Sequence, residues 1–177
     1  MQSKVKTVLL PVFIVALLTG LTIIKANAQV SVTAKATAEV ISALTAQESA
    51  ILNFGRFSPQ TQGGKITLSP QGVRSVEGTV VLGGGVANSA KFTITGEYEA
   101  TFSITLPSGP ATLTNTINAK TMQVSDWQSY PAPGIGVGKL TGGQTVVSVG
   151  AVLNIGNMLA NPVGIYTGIY AITFVYN

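Results

Sequence analysis

The sequence has no cysteine and no histidine, and only 9% of its residues are charged. Each absence excludes something. Without cysteine there can be no disulfide, so the fold holds by packing alone. Without histidine or cysteine, Ser-His-Asp and Cys-His catalysis is excluded. The usual ligands of zinc, haem and iron–sulfur clusters are missing too. An average protein is about 25% charged, so this surface is built from Ser, Thr, Asn and Gln instead. The six acids are too dispersed for a calcium loop. No catalytic residue, metal ligand or cofactor site is expected, and the chain does not read as an enzyme.

Three stretches that resemble chemical motifs have plainer readings. Glu97 and Glu99 form a possible carboxylate pair; the expectation is that they flank a hairpin turn in water, with Tyr98 pointing inward. Gly134–Lys139 has the glycines of a phosphate loop, but no Ser or Thr follows the lysine and no helix follows the loop. It is expected to be an ordinary loop. Trp127, the only tryptophan, and Tyr130 could mark a sugar-binding face; packing is the expectation for Trp127.

What is present begins with a leader. Lys4 and Lys6 precede an apolar run from Val8 to Ile24, and Ala26-Asn27-Ala28 supplies a cleavage signal. Residues 1–28 read as a secretory signal peptide, cleaved before Gln29. The net charge of +4 belongs mostly to that leader. The remainder has seven bases and six acids and no basic patch, so nucleic acid is not an expected partner. Residues 29–177 are expected to form a single domain.

Val30–Val40 alternates. Val30, Val32, Ala34, Ala36, Ala38 and Val40 share one face; Ser31, Thr33, Lys35, Thr37 and Glu39 share the other. The inward residues are small, which suits a slot between sheets. Ala43–Ala50 is expected to be a helical turn or a loop, and Ile51–Phe54 a short strand. Pro59–Gly64 reads as a turn. Strands follow at Lys65–Ser69, Gly78–Leu82, Ala90–Thr95, Thr101–Leu106, Ala111–Ile117, Thr121–Val124 and Thr145–Ile155. Ala90–Thr95 and Thr101–Leu106 look like a hairpin. About ten short strands spaced by roughly 8–12 residues, with no helix between them, predict an all-β sandwich of immunoglobulin-like, antiparallel type.

The last stretch, Gly164–Asn177, organises the rest. Tyr166, Tyr170, Ile172, Phe174 and Tyr176 fall on one face, with Gly164 and Gly168 between or before them. One unbroken strand from Tyr166 to Tyr176 would run roughly 36 Å. With apolar residues on both faces, it is expected inside the sandwich and not on its rim. This ending resembles that of subunits of chaperone–usher fimbriae (pilins), which close on alternating apolar residues, a penultimate aromatic and a glycine fourteenth from the end. Tyr176 and Gly164 stand at those positions. Leu52-Asn53-Phe54-Gly55, Phe92-Thr93-Ile94-Thr95-Gly96 and Ser103-Ile104-Thr105-Leu106-Pro107, with the same ending, also resemble an uncharacterised family of secreted bacterial domains.

The resemblance implies a pilin-like sandwich that polymerises with itself or related subunits. It implies a periplasmic chaperone and an outer-membrane usher as partners, and a place on the cell surface, in adhesion or biofilm formation. It also implies that Val30–Val40 is donated to a neighbouring subunit. Pairing within its own domain is the other placement the residues leave open. Two further readings compete: a small outer-membrane β-barrel, and a secreted monomeric sandwich that binds something. No small-molecule substrate is evident in the sequence.

Overall fold

The structure, a computed structural model, describes residues 29–177. The expected signal peptide, residues 1–28, lies outside the described residues. The described chain falls into a compact unit, Val40–Asn177, and a short stretch ending at Glu39. Residues 30–40 belong to no strand. Val30, Val32 and Val40 are 85%, 84% and 96% exposed. Among the described residues, the alternating pattern of this stretch forms no strand.

The compact unit is all-β, with eleven strands in two antiparallel sheets. They are β1 (Thr45–Ala50), β2 (Phe57–Leu68), β3 (Arg74–Leu82), β4 (Ala90–Thr95), β5 (Thr101–Thr105), β6 (Ala111–Asn115), β7 (Thr121–Tyr130), β8 (Gly134–Lys139), β9 (Gln144–Ile155), β10 (Tyr166–Thr167) and β11 (Thr173–Tyr176). The large sheet runs β1-β4-β9-β7-β6-β10, and a β2–β3 hairpin also joins it through β9. The small sheet runs β11-β5-β8. The result is a sandwich-like fold.

The centre is β9. Its first half pairs with β4, its second half with β2, and β7 lies along its other side. Val147, Val149, Ala151, Leu153 and Ile155 alternate along it and are buried. That step-two series crosses both core clusters. Over Val147 and Val149, the small sheet lays down Phe102 and Ile104 and closes a core with Ile94 and Leu140. Over Leu153 and Ile155, Phe54, Ile66, Leu68, Met122 and Val124 gather instead, all from the large sheet or its connections. The three short strands of the small sheet cover only the first of these two regions.

Several elements differ from the sequence reading, each for a local reason. Ala43–Ala50 is neither helix nor loop; it contains β1, which pairs with β4 from Thr45↔Thr95 to Ala50↔Lys91. Ile51–Phe54 is held by one bridge, Asn53↔Asn88, and is not a strand. Pro59–Gly64 does not turn the chain: it lies inside β2, where the register against β3 slips between Pro59 and Gly63, a bulge. β4 and β5 are not a hairpin. They lie in different sheets, and residues 96–100 carry the chain from one to the other. Tyr98 accordingly points out, at 70% exposure. Gly134–Lys139 is a strand, β8, paired with β5. Its glycines have a packing use: a Cβ on Gly138 would run into the Phe102 ring.

The last stretch is two short strands, not one long one. β10 pairs with β6 in the large sheet, and β11 pairs with β5 in the small one. A single extended strand cannot ladder with both, so residues 168–172 cross between the sheets and belong to neither. The stretch also lies on the rim. β10 ends the large sheet and β11 ends the small one. The expected inward face is nonetheless kept: Tyr166, Tyr170, Ile172, Phe174 and Tyr176 are all partly buried, while Ile165, Ile169 and Val175 are exposed.

Candidate functional site: an open apolar groove

Where the small sheet stops short, a groove lies against the inner face of the large sheet. Met122, Val124 and Leu153 form the floor of a groove of about 1260 Å³. One wall is the chain from Glu48 to Pro59. The other runs from Met158 to Ile172, through β10 and the crossing that follows. The groove therefore lies between the first and last parts of the compact unit.

The first wall is fixed by side chains that reach main-chain groups. Asn53 and Asn88 exchange two backbone hydrogen bonds of 2.9 Å. The Asn88 amide also donates to the Ile51 carbonyl at 2.6 Å. The Asn53 side chain accepts from the Gly55 N–H, and Gly55 takes a positive φ of 76° that glycine accommodates. Arg74 reaches across from β3 and donates to the Phe54 carbonyl at 2.9 Å. Phe54 is thereby turned into the floor, where it is buried.

The second wall hangs on two asparagines. Buried Asn161 accepts from the Gly156 N–H at 2.5 Å and donates to the Thr121 carbonyl at 2.8 Å. Asn115, also buried, packs against Gly164, where a Cβ would collide with its amide. That contact gives the glycine fourteenth from the end a steric reason. Thr116 N–H donates to the Ile165 carbonyl, and the Tyr166 hydroxyl donates to the Pro162 carbonyl, both at 2.9 Å.

Trp127 stands between floor and second wall. It touches both core clusters and stacks on Tyr170, with ring centroids 4.7 Å apart. Its indole N–H donates to the Gly109 carbonyl at 3.1 Å. A bulge in β7 aims it inward. Met122 and Val124 are buried at even positions; the register then slips between Ser125 and Gln128, with Asp126 in the left-handed region at φ 50°. After the slip the inward positions are odd, Trp127 and Ser129. Trp127 is a packing residue, as expected from sequence, while Tyr130 is exposed.

Tyr170 is the one polar oddity in the groove. Its hydroxyl is buried with no hydrogen-bond partner among the described residues. Burial, with a smaller contribution from the negative charge of Glu48, pushes its pKa up to about 12. Outside the groove, Phe174 packs between Phe92 and Phe102, each centroid 6.0 Å away. Tyr176 is a latch at the far end: its hydroxyl donates to the Ser42 carbonyl at 2.9 Å and accepts from the Glu97 N–H at 2.6 Å. The Glu97 carboxylate accepts from the Ser42 N–H at 2.8 Å. Glu99 pairs with Lys139 at 2.6 Å. Both glutamates are partly exposed and engaged in holding the chain's turns. Among the described residues, no three His, Cys, Asp or Glu side chains cluster as a metal site would need.

Of the residues singled out in sequence, Gly164, Tyr166, Tyr170 and Ile172 meet in the second wall. Phe174 and Tyr176 lie beyond it, and Val30, Val32, Ala34, Ala36, Ala38 and Val40 form no part of it. The floor and the first wall were missed. They come from distant strands, and only the Leu52-Asn53-Phe54-Gly55 motif hinted at them.

The chain belongs to the family described as "Domain of unknown function (DUF4402)", whose model matches residues 43–176. No curated protein matches the chain.

Proposed function

We propose that this DUF4402 chain is a structural subunit of a bacterial surface fimbria, assembled by donor-strand complementation and serving adhesion or biofilm formation. One observation carries the reading. An apolar groove stands open between the first and last parts of the domain, and the residues before it form an unpaired arm of alternating, small apolar side chains. The arm Val30–Val40 of a second copy, apolar and small on one face, is the occupant whose chemistry suits the groove. An inserted strand would place Val30, Val32, Ala34, Ala36, Ala38 and Val40 on the apolar floor and give the crossing residues 168–172 a main-chain partner. It would also cover a sheet edge that otherwise invites uncontrolled pairing.

The groove fits a small ligand poorly. Ligand pockets usually measure about 300–1,000 Å³ and carry a few convergent polar groups. This one is larger, at about 1260 Å³, and has no such convergence on its floor. Export through the leader, a periplasmic chaperone that holds the groove open and an outer-membrane usher complete the proposal.

The test is deletion of Gln29–Glu39 from the exported protein. The truncated chain should fold and bind the same segment added as a peptide, yet never form oligomer ladders. Trp127 lies in the groove and is the only tryptophan, so its emission should shift to the blue as the peptide enters. A truncated chain that ignores the peptide, or an intact protein that stays monomeric with its chaperone and usher, overturns the reading.

A further inference from the structure

The outer face of the large sheet carries a polar row. Thr112, Gln123, Asn154, Lys65 and Glu77 lie opposite one another, strand by strand, from β6 through β7, β9 and β2 to β3. Cross-strand neighbours share a face, so the row is continuous over roughly 19 Å. Their chain neighbours Met122, Leu153 and Ile66 point the other way, into the core. The row therefore lies on the side of the sheet away from the apolar groove.

At the middle of the row the sheet is hollowed. Lys65, Thr121, Gln123, Asn154, Gly156 and Asn161 line a shallow depression of about 470 Å³. Two glycines in its lining, Gly64 and Gly156, make the hollow. A Cβ on Gly64 would meet the Glu77 carbonyl, and one on Gly156 would meet Ala160. Both positions stay bare, and bare backbone lets a ligand approach closely. The amides around it are held in place. The Asn154 amide donates to the Ser125 hydroxyl at 2.9 Å, which leaves its side-chain oxygen without a partner among the described residues. The Gln123 amide donates to the Thr112 hydroxyl at 3.1 Å. Lys65 makes no ion pair among the described residues, although Glu77 stands opposite it. Of the residues that line the depression, Lys65 alone is charged.

This set of groups selects a ligand chemistry. The depression has the size of a ligand site, about 300–1,000 Å³, and its polar groups converge, which those of the groove do not. Asn, Gln and Thr side chains each give and accept hydrogen bonds, as adjacent ring hydroxyls do. One ammonium suits one carboxylate; a phosphate calls for several cations or a nest of N–H groups. No aromatic ring lines the depression, so a flat apolar ligand has nothing to stack on. Along the row, Glu77 repels a second carboxylate on the β3 side, while Gln123 and Thr112 continue the polar surface on the other.

We propose that this depression binds a carboxylated sugar unit of a polysaccharide, with Lys65 on the carboxylate and Asn154, Gln123 and Thr121 on ring hydroxyls. The sugar chain continues over β7 and β6 toward Thr112. The site does not depend on the donor-strand reading, because a single domain carries it whole. In a fimbria it is repeated in every subunit, and weak single sites gain by multivalency.

Titration calorimetry of the full-length exported chain tests this, with galacturonate, its trimer, galactose and acetate as probes. Galacturonate should bind about tenfold more tightly than galactose, which has CH2OH in place of the carboxylate; that factor is one charge-assisted hydrogen bond. Lys65→Gln should abolish the preference and leave both sugars equally weak. Asn154→Ala should weaken both sugars roughly fivefold. The trimer should bind more tightly than the monomer, and acetate at the same concentration should not compete. An unchanged urea midpoint shows that each variant is folded. A wild type that binds neither sugar, equal affinity for galactose and galacturonate, or a Lys65→Gln variant that keeps the preference overturns the proposal. So does acetate that competes as well as galacturonate, which would mark an adventitious ion only. A trimer no tighter than the monomer would assign the depression to a free sugar acid and overturn the polysaccharide reading. Binding by a chain that forms no oligomer ladder would leave this site standing and count against the donor-strand reading alone.

Discussion

Trp127→Ala is expected to destabilise the domain by about 3–4 kcal/mol. Large-to-small changes at buried aromatics cost about 3–5 kcal/mol, and Trp127 is only half-buried, which puts packing near the lower end. The stack on Tyr170 at 4.7 Å adds about 0.5–1.5 kcal/mol beyond area. The bond to the exposed Gly109 carbonyl adds about 0.5 kcal/mol, since water can replace it. These contributions overlap, so their sum is an upper bound. Against a typical total of about 5–15 kcal/mol the loss is severe but survivable. Urea unfolding measures it. With a slope of about 1.5–2 kcal/mol per molar, the midpoint should fall by roughly 2 M. Trp127→Phe, which keeps the ring pair and loses the hydrogen bond, should cost about 1–1.5 kcal/mol. An alanine variant within about 0.5 kcal/mol of the wild type would behave like a surface residue. That result would refute the packing role and reopen the sugar-platform alternative.

Four other outcomes are expected. Tyr176→Phe removes both bonds of the latch and should cost about 1–2 kcal/mol, with faster amide exchange at Ser42 and Glu97. Phe174→Asp puts a charge between Phe92 and Phe102 and should abolish accumulation of soluble, protease-resistant protein. Hydrogen bonds from Ser42, its N–H first and its side chain second, hold the Glu97 carboxyl below its ordinary value of 4.5, so its contribution is present above that value and is lost as pH falls through the lowered one; exchange at Ser42 should quicken over that acid range in the wild type and show no such step in Glu97→Gln. Ultraviolet titration should show a late tyrosine phase near pH 12, removed by Tyr170→Phe; the raised pKa means stability from this site is whole below about pH 10 and falls away above it.

The fold class was legible because strand periodicity survives almost everywhere. Ile66 and Leu68, and Phe102 and Ile104, alternate in the sequence and are buried, and the apolar run expected as a strand at Thr145–Ile155 is the central strand β9. Sheet membership was not legible. β4 and β5 are adjacent in sequence and alternate in the same way, and nothing local marks residues 96–100 as a passage between sheets. The information lies in Ser42, Gly142 and Tyr176, which hold Glu97 and Glu99 from far along the chain. Bulges hid the rest. A slip at Asp126 turns Trp127 inward, and a slip within β2 absorbs the glycines that resembled a turn.

The groove was hidden for a different reason: it is made by strands that are missing. Periodicity reports which residues face inward, and Met122, Val124 and Leu153 do face inward. It does not report whether a second layer covers them. The small sheet covers β9 only around Val147 and Val149, and its last strand is too short to extend further. Had Tyr166–Tyr176 been one continuous strand in the small sheet, it would have run over the open half. The chain instead spends Tyr166 and Thr167 on β6 and crosses at Gly168, where a Cβ would meet the Thr112 carbonyl. Its apolar residues then line the second wall instead of roofing the floor. The same residues that look like one core strand in sequence thus leave room for a strand from elsewhere. The floor itself is buried; the apolar surface left in water belongs to the walls, where Ile51, Met158, Val163, Ile165 and Ile169 are exposed. An occupant of the groove would relieve the cost of hydrating them.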